Sequence, residues 1–217
     1  MDVKTISVKK DILSANNKTA ASNRSTLDEH HCRMINIMSS PGSGKTSLIM
    51  RTIDHFIDMF NIAVIEGDIA SSIDTEKISQ LNVPALQINT GGGCHLDAGM
   101  IKKALRDLAL DKLDLVFIEN VGNLVCTADF DLGAHKNVVI LSIPEGDDKP
   151  YKYPVIFMEA DIVLINKIDV LPHFDFNMDT FPEVINGLNP SAAVFNVSTK
   201  TGEGLDDWFS WIKQTLN

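Results

Sequence analysis

The fold of this chain is decided by Met34-Ile35-Asn36-Ile37-Met38-Ser39-Ser40-Pro41-Gly42-Ser43-Gly44-Lys45-Thr46. An apolar run of strand character leads into a loop of small residues, and the helix-like residues 47–53 follow. Small residues let successive backbone N–H groups point at phosphate oxygens, and a helix N-terminus adds positive potential. The stretch therefore predicts a phosphate-binding loop, in which Lys45 reaches the β- and γ-phosphates and the Thr46 hydroxyl binds Mg²⁺. The predicted nucleotide-contacting residues of this loop are Pro41, Gly42, Ser43, Gly44, Lys45, Thr46 and Ser47.

Ser39 departs from the strict phosphate-loop pattern, which has Gly at that position. Gly42 and Gly44 still provide a flexible loop, and strand, loop and helix all fall where the motif needs them. The alternative is an ordinary Gly-rich turn, which does not require that order of elements, so we retain the phosphate-binding interpretation.

The composition is that of a globular protein with an acidic surface. The 217 residues suffice for one well-packed α/β domain, and the net charge is −10. A surface of this sign repels phosphate backbones, so we expect no nucleic-acid partner. The three cysteines form no Cys-x-x-Cys pair, which fits reduced thiols and a cytoplasmic location. No apolar run has membrane-spanning length and the N-terminus lacks the apolar core of a signal peptide, so we expect neither membrane insertion nor secretion.

After residue 33 the chain alternates strand-like and helix-like segments. The predicted strands are residues 34–38, 63–66, 85–88, 113–119, 137–142, 162–166 and 193–197, and the predicted helices are residues 46–60, 96–110 and 205–216. Most of these strands lack polar alternation, so the pattern predicts an α/β fold with a mostly parallel central sheet and helices on both faces. We assign residues 34–217 to this phosphate-loop domain. Residues 1–33 form an N-terminal arm, either partly ordered or made of one or two short helices outside the core.

The tetrapeptide Asn166-Lys167-Ile168-Asp169 follows a predicted buried strand and predicts guanine recognition. A carboxylate at Asp169 can accept hydrogen bonds from the N1–H and the exocyclic amine of guanine, a donor pair that adenine lacks. Asn166 would hold the base or the loop, and the Lys167 stem would cover the ring. Residues Ser198, Thr199 and Lys200 follow the last predicted strand and resemble the further guanine-contacting loop of GTPases, with a polar turn as the equal alternative.

Two carboxylates, Asp68 and Glu119, end predicted apolar strands and are candidates for the magnesium side of the site. A carboxylate in that position is costly without a cationic partner, and Mg²⁺ prefers oxygen ligands. The alternative is a helix cap or a surface salt bridge. Gly122 follows the same strand as Glu119 and would let the backbone approach the γ-phosphate as a switch. The residues that we assign to hydrolysis are Lys45, Asp68, Glu119 and Gly122.

Cys94 and His95 lie in a Gly-rich turn after the third predicted strand, and Cys126 follows the fourth. If these two strands are neighbours in the sheet, the three side chains meet at one edge. Thiolate and imidazole together suit Zn²⁺, Ni²⁺ or copper and not Mg²⁺. The spacing alone leaves open whether the cysteines bind metal or are small buried apolar residues.

Several of these segments resemble the HypB family of hydrogenase nickel-incorporation GTPases. Besides the phosphate loop, they are Glu66-Gly67-Asp68, Cys94-His95-Leu96, Glu119-Asn120-Val121-Gly122-Asn123-Leu124-Val125-Cys126 and Pro144-Glu145-Gly146-Asp147-Asp148-Lys149. The resemblance runs from about residue 34 to the C-terminus. It implies a P-loop NTPase of the SIMIBI type that binds GTP and GDP, dimerises with GTP, and holds nickel or zinc at the subunit interface through Cys94, His95 and Cys126.

The same resemblance implies the partners. They are a second copy of the chain, a nickel-chaperone protein and the precursor of the hydrogenase large subunit. Some members of the family carry an extra N-terminal cysteine cluster and a His-rich stretch. The arm of this chain has only His30-His31-Cys32, which we interpret as a local feature before the first strand and not as a nickel store.

We therefore expect a slow, Mg²⁺-dependent GTPase whose nucleotide state controls dimerisation and metal transfer, with in-line attack of water on the γ-phosphate. Three alternatives are open at this point. A nickel metallochaperone GTPase that serves urease would carry a Cys-Pro-His motif, which this chain lacks. A small-molecule kinase would use ATP, against which Asp169 argues. A nucleotide-gated docking scaffold would carry no metal, so that Cys94 and Cys126 would be dispensable.

Overall fold

The computed structural model of the protein describes residues 8–68 and 81–216, with side chains from residue 11 onward and without the side chain of Asp68. Within these ranges seven strands form one sheet, in which every paired strand runs parallel to its neighbour. The strands are β1 (Arg33–Ser39), β2 (Ile62–Asp68), β3 (Ala85–Asn89), β4 (Leu115–Glu119), β5 (Lys136–Ser142), β6 (Ile162–Asn166) and β7 (Ala193–Asn196). Their order across the sheet is β3-β2-β4-β1-β5-β6-β7.

The central strands are apolar because the sheet is covered on both faces. All residues of β4 and β6 are buried, whereas the edge strands β3 and β7 are partly exposed. Strands covered on both sides carry apolar residues without alternation, which is the pattern that the sequence shows. The predicted α/β fold with a central parallel sheet is confirmed.

Seven α-helices occur in the described part of the chain: α1 (Val8–Glu29), α2 (Lys45–Phe56), α3 (Ala98–Arg106), α4 (Lys149–Lys152), α5 (Pro154–Met158), α6 (Phe181–Leu188) and α7 (Leu205–Leu216). They lie on both faces because successive strand side chains point to opposite sides. Ile35 and Ile37 of β1 pack with α2 and α7 on one face. Met34 packs with α1 and α3, and Met38 with α5 and α6, on the other.

The ends of two predicted helices differ from the prediction. The helix predicted over residues 46–60 ends at Phe56, and the one predicted over residues 96–110 covers Ala98–Arg106. Asp97 sets the start of α3, because its side chain accepts a hydrogen bond from the Met100 backbone N–H at 2.8 Å. Residues Cys94 and His95 therefore precede the helix and lie in a turn.

The N-terminal arm differs from the expected short helices outside the core. Helix α1 is a single helix of 22 residues, and Leu27 is fully buried in the core under α3. Asn23 is also buried, and its side-chain amide donates to the backbone carbonyls of Ala98 at 2.9 Å and Leu132 at 3.1 Å. The inner face of the helix is thus part of the domain packing, while the division at residue 33 stays a prediction. No helix in the described ranges is long and apolar enough to cross a membrane.

Candidate functional site

The loop between β1 and α2 has the backbone conformation of a phosphate-binding loop. Gly42 and Gly44 adopt positive φ values of 77° and 107°, a region that side chains other than Gly rarely adopt. Helix α2 begins directly afterwards at Lys45, so its first backbone N–H groups face the loop. The Lys45 side chain is buried and donates to the Ser39 hydroxyl at 3.1 Å.

The structure accounts for Ser39 at the position where the strict motif has Gly. Ser39 ends β1 and is absent from the residues with positive φ among those described, so its backbone does not require Gly. Its hydroxyl donates to the Ser40 carbonyl at 2.6 Å and accepts from Lys45. Ser39 therefore holds the lysine against the loop.

Glu145 binds the phosphate loop through Ser43, a contact that was not predicted from the sequence. Its Oε2 accepts from the Ser43 hydroxyl at 2.7 Å, and also from the backbone N–H of Ser142 at 2.8 Å and the Ser142 hydroxyl at 2.7 Å. Ser142 and Glu145 form a capping box around a short 3₁₀ turn. The Ser-Ile-Pro-Glu sequence carried this signal, because Ser-x-x-Glu is the capping-box pattern.

The predicted guanine-reading residues surround the other side of the same loop. Asn166 Nδ2 donates to the Ser43 carbonyl at 2.8 Å, and Asn166 Oδ1 accepts from the Thr199 backbone N–H at 3.1 Å. Lys167 has a φ of 64° and donates to the Gly42 carbonyl at 2.7 Å, so its stem crosses from the base side to the phosphate loop. The structure thus places Asn166 and Lys167 against the phosphate loop.

Asp169 is bound to the segment after β7. Its Oδ1 accepts a hydrogen bond from the buried Ser198 hydroxyl at 2.6 Å. Lys200 is exposed in the same segment, beside Thr199. The polar stretch after the last strand therefore lies next to the Asn-Lys-x-Asp motif, as a base-contacting loop must.

The Thr46 hydroxyl donates to Glu119 Oε1 at 2.8 Å, and Glu119 is buried at the end of β4. A hydroxyl and a carboxylate that face each other beside a phosphate loop are oxygen ligands of the kind that Mg²⁺ prefers, so these residues fit that ion. Asp68 ends β2, whose residue Glu66 pairs with Glu119 across the sheet. The side chain of Asp68 lies outside the described residues, and its assignment stays a prediction.

Gly122 lies against the phosphate loop. A Cβ atom at this position would be 2.9 Å from Cγ and from the backbone N of Pro41. Only Gly allows this approach, because carbon atoms normally pack at about 3.5–4.0 Å. We expected Gly122 to approach the γ-phosphate. In the structure Gly122 contacts Pro41 of the loop that would hold the phosphates, and the approach to the γ-phosphate itself stays a prediction.

Cys94, His95 and Cys126 come together at the same edge of the sheet. One ligand atom from each residue lies within 4.8 Å of the others, and all three residues are half-buried. Cys94 Sγ is 3.6 Å from His95 Nδ1, and the His95 ring stacks on Phe130 with a centroid distance of 3.9 Å. Among the described residues, no other cluster of His, Cys, Asp and Glu side chains has this closeness.

The premise that β3 and β4 are neighbours in the sheet was wrong, because β2 lies between them. The metal-ligand candidates still meet, since the loop after β3 crosses the end of β2. Gly67 in β2 permits the crossing: a Cβ atom there would be 2.8 Å from the Leu96 side chain. The Gly residue in Glu66-Gly67-Asp68 thus brings Cys94 and His95 towards the turn that carries Cys126.

The local structure around Cys126 fixes its side chain near Cys94. Asn123 accepts hydrogen bonds from the backbone N–H groups of Val125 at 2.7 Å and Cys126 at 3.1 Å, which closes the 3₁₀ turn. The hydrogen bond with the Cys94 thiol raises the pKa of Cys126, and burial adds to this shift. A metal that binds the thiolates must therefore displace protons.

Asn120 connects the end of β4, which carries Glu119, with the loop that carries Cys94 and His95, and it was not identified from the sequence. It is buried directly after Glu119, and its Oδ1 accepts from the backbone N–H groups of Val121 at 2.9 Å and Leu96 at 3.4 Å. Its Nδ2 donates to Asn36 Oδ1 at 3.1 Å. One carboxamide thus contacts both the end of β4 and the loop of Cys94 and His95.

Comparison with known proteins agrees with the fold described above. The family described as CobW/HypB/UreG, nucleotide-binding domain, matches residues 33–196. The hydrogenase maturation factor HypB of Rhizobium leguminosarum bv. viciae is 49% identical over 208 residues, which are 96% of this chain and 70% of that protein. The hydrogenase/urease maturation factor HypB of Helicobacter pylori (strain J99) is 42% identical over 213 residues, 96% of this chain and 87% of that protein. The crystal structure of HypB from Helicobacter pylori in complex with nickel superposes with a TM-score of 0.88 at 41% identity, covering 93% of this chain and 95% of that one.

Proposed function

The chain belongs to the CobW/HypB/UreG family and within it to the HypB hydrogenase maturation factors, and on that premise we propose that it is a GTP-gated nickel metallochaperone. In this proposal it hydrolyses GTP to GDP and phosphate in the presence of Mg²⁺. The nucleotide state controls the binding of nickel and its delivery during maturation of [NiFe]-hydrogenase.

The observation that carries the proposal is the course of the segment from Glu119 to Cys126. At its start Glu119 accepts from Thr46 of the phosphate loop helix, and in its middle Gly122 lies against Pro41. At its end Cys126 joins the thiol–imidazole cluster. A change at the γ-phosphate that moves this segment would therefore move a metal ligand.

The chain's own residues support phosphoryl transfer to water. The phosphate loop amides and Lys45 would stabilise negative charge on the phosphates, and hydrolysis would be in-line attack of water. Thr46 and Glu119, and by proposal Asp68, would hold Mg²⁺, which when bound neutralises charge on the β- and γ-phosphates. Asp169 would accept from the guanine N1–H and amine while Asn166 fixes the phosphate loop beneath the nucleotide.

The cargo site supports nickel as the metal that is carried. Thiolate and imidazole suit Ni²⁺, and the same ligands accept Zn²⁺ as an alternative occupant. Three ligands from one chain leave part of a coordination shell open. We infer that a second copy of the chain completes it, which makes GTP-dependent dimerisation part of the mechanism. The proposed further partners are a nickel-chaperone protein and the hydrogenase large-subunit precursor, and the proposed location is the cytoplasm.

Urease is a second candidate for the enzyme that receives the nickel. The relative from Helicobacter pylori is named a hydrogenase/urease maturation factor, and its sequence matches 96% of this chain. The two targets would use the same nucleotide and metal sites. They differ in the partner surface, so the choice between them is made by complementation.

The test is complementation of two bacterial strains, one lacking its hydrogenase nickel-insertion GTPase and one lacking that of urease, at limiting nickel. We expect the wild-type chain to restore hydrogenase activity and the Cys94→Ser, Cys126→Ser double variant to fail. Cys32→Ala is the matched control, because Cys32 is buried away from the cluster. Restoration by the double variant at the wild-type level would show that the chain acts as a docking scaffold without carrying metal.

A further inference from the structure

Arg51 joins the phosphate-loop helix to the segment after β7. It lies on the exposed side of α2, and its Nε donates to the Thr199 carbonyl at 3.0 Å while its Nη2 donates to the Lys200 carbonyl at 3.0 Å. A guanidinium is a planar fork with fixed donor directions, so two such bonds to successive carbonyls fix the orientation of that backbone.

The backbone donors of this segment, residues 197–203, are almost all engaged within the protein. The acceptors are Ile165 O for Val197, Glu203 O for Ser198, Asn166 Oδ1 for Thr199, Ser198 Oγ for Thr201, Ser198 O for Gly202 and Thr201 Oγ1 for Glu203. Within the described residues, the N–H of Lys200 is the single donor of the segment without a protein partner.

The free N–H and the carbonyl that Arg51 holds belong to the same peptide group. The Thr199 C=O and the Lys200 N–H are the two ends of one planar unit, and the described chain contains no cis peptide bond. In a trans peptide these two groups point in opposite directions. When Arg51 holds the carbonyl on the side of α2, it therefore directs the Lys200 N–H away from that helix.

The position of this donor relative to the base-reading residues gives it a role. Thr199 is bound to Asn166, and the preceding Ser198 is bound to Asp169. A carboxylate at Asp169 would accept from the N1–H and the C2 amine of guanine, which leaves the C6 carbonyl on the same edge of the base in need of a donor. Adenine has an amine at C6, which would face the N–H as donor against donor, and an unmatched polar group costs affinity.

We propose that Arg51 is a positioning residue for base recognition, which aims the Lys200 N–H at the C6 carbonyl of guanine. The inference rests on the proposed binding of guanine nucleotides. It adds a specificity determinant outside the phosphate-loop and Asn-Lys-x-Asp motifs, held by a surface arginine of the phosphate-loop helix.

The test compares Arg51→Met and Arg51→Lys with the wild-type protein by calorimetric titration of GDP, IDP, ADP and pyrophosphate. Methionine keeps the apolar stem and removes both donors. We expect Arg51→Met to bind GDP and IDP about tenfold more weakly, the size expected when one well-aligned hydrogen bond is lost. The losses should be equal because both bases carry the C6 carbonyl, while ADP and pyrophosphate binding stay unchanged. Arg51→Lys should lie between the two, since an ammonium can hold one carbonyl.

Arg106→Met is the matched control, because it removes an exposed helical arginine from α3. Equal losses for GDP and pyrophosphate in Arg51→Met would overturn the inference and show that Arg51 only supports the phosphate loop. Unchanged GDP binding in Arg51→Met, alongside tight binding by the wild type, would also overturn it. If the wild type bound ADP as well as GDP, the proposed guanine specificity itself would fail.

Discussion

Replacing Gly122 by Ala inserts a methyl group between the segment of residues 119–126 and the phosphate loop. The new Cβ would lie 2.9 Å from Pro41 Cγ, 2.9 Å from Pro41 N and 3.0 Å from Pro41 Cα. To reach an ordinary carbon contact, Pro41 and the new Cβ must move apart by roughly 0.5–1 Å. The proline ring is rigid and two of the three atoms are backbone, so no side-chain rotation provides it. Overpacking of this kind costs about 1–3 kcal/mol.

We expect this cost to appear in nucleotide binding, because the phosphate loop must close around the phosphates. A penalty of about 1–3 kcal/mol corresponds to GDP affinity about 5- to 150-fold weaker. Calorimetric titration of GDP measures it, with thermal unfolding as a check on the fold. Gly187→Ala is the control, because a Cβ at Gly187 in α6 meets nothing within 4 Å. Wild-type GDP affinity in Gly122→Ala, with an unchanged melting temperature, would refute the close contact with Pro41.

Three further predictions concern the base, the thiols and the partly buried His135. Asp169→Asn should change the preferred base from guanine to xanthine, because the amide donor matches the C2 carbonyl of xanthine. The measurement is a higher affinity for XDP than for GDP, and a retained preference for GDP would count against the role assigned to Asp169. Cys32 is buried and Cys94 is half-buried, and burial raises the pKa of the Cys32 thiol to about 12. Iodoacetamide at pH 8 should therefore alkylate Cys94 in the native protein and leave Cys32 intact by mass spectrometry, and alkylation of both at the same rate would contradict this. Burial lowers the pKa of His135 below its ordinary 6.5, so the unfolded chain binds the proton more tightly and stability present above pH 6.5 is lost as the pH falls below it. Urea unfolding at pH 7.5 and 5.5 should show a smaller loss in His135→Asn than in the wild type, and equal losses would exclude this contribution.

The elements of the sheet were predictable because burial on both faces leaves a direct mark on sequence. A strand such as β6 reads as an unbroken apolar run, and the chemistry follows where the run ends, at Asn166. The order of strands leaves no such mark, because the apolar pattern of β2 does not show which strands lie beside it. For this reason the closeness of Cys94 and Cys126 was predicted from an incorrect premise, namely that β3 and β4 are neighbours in the sheet.

Residues that act through hydrogen bonds to the backbone were the least predictable part of the site. Arg51 on an exposed helix face has no sequence signature, since its two acceptors are carbonyls far along the chain. Asn120 is a polar residue after a strand, and only the fold shows that its carboxamide contacts the loop of His95. The local hydrogen bonds of Glu145 were predictable, because Ser142 and Glu145 have the Ser-x-x-Glu spacing of a capping box.

Control of the metal site by the nucleotide can be measured in one titration. Ni²⁺ is titrated into the protein bound to GDP and then to a non-hydrolysable GTP analogue, with the Cys94→Ser, Cys126→Ser double variant as the control. We expect nickel affinities that differ between the two nucleotides, and loss of nickel binding in the double variant. Equal affinity with both nucleotides, or binding by the double variant as tight as that of the wild type, would contradict it.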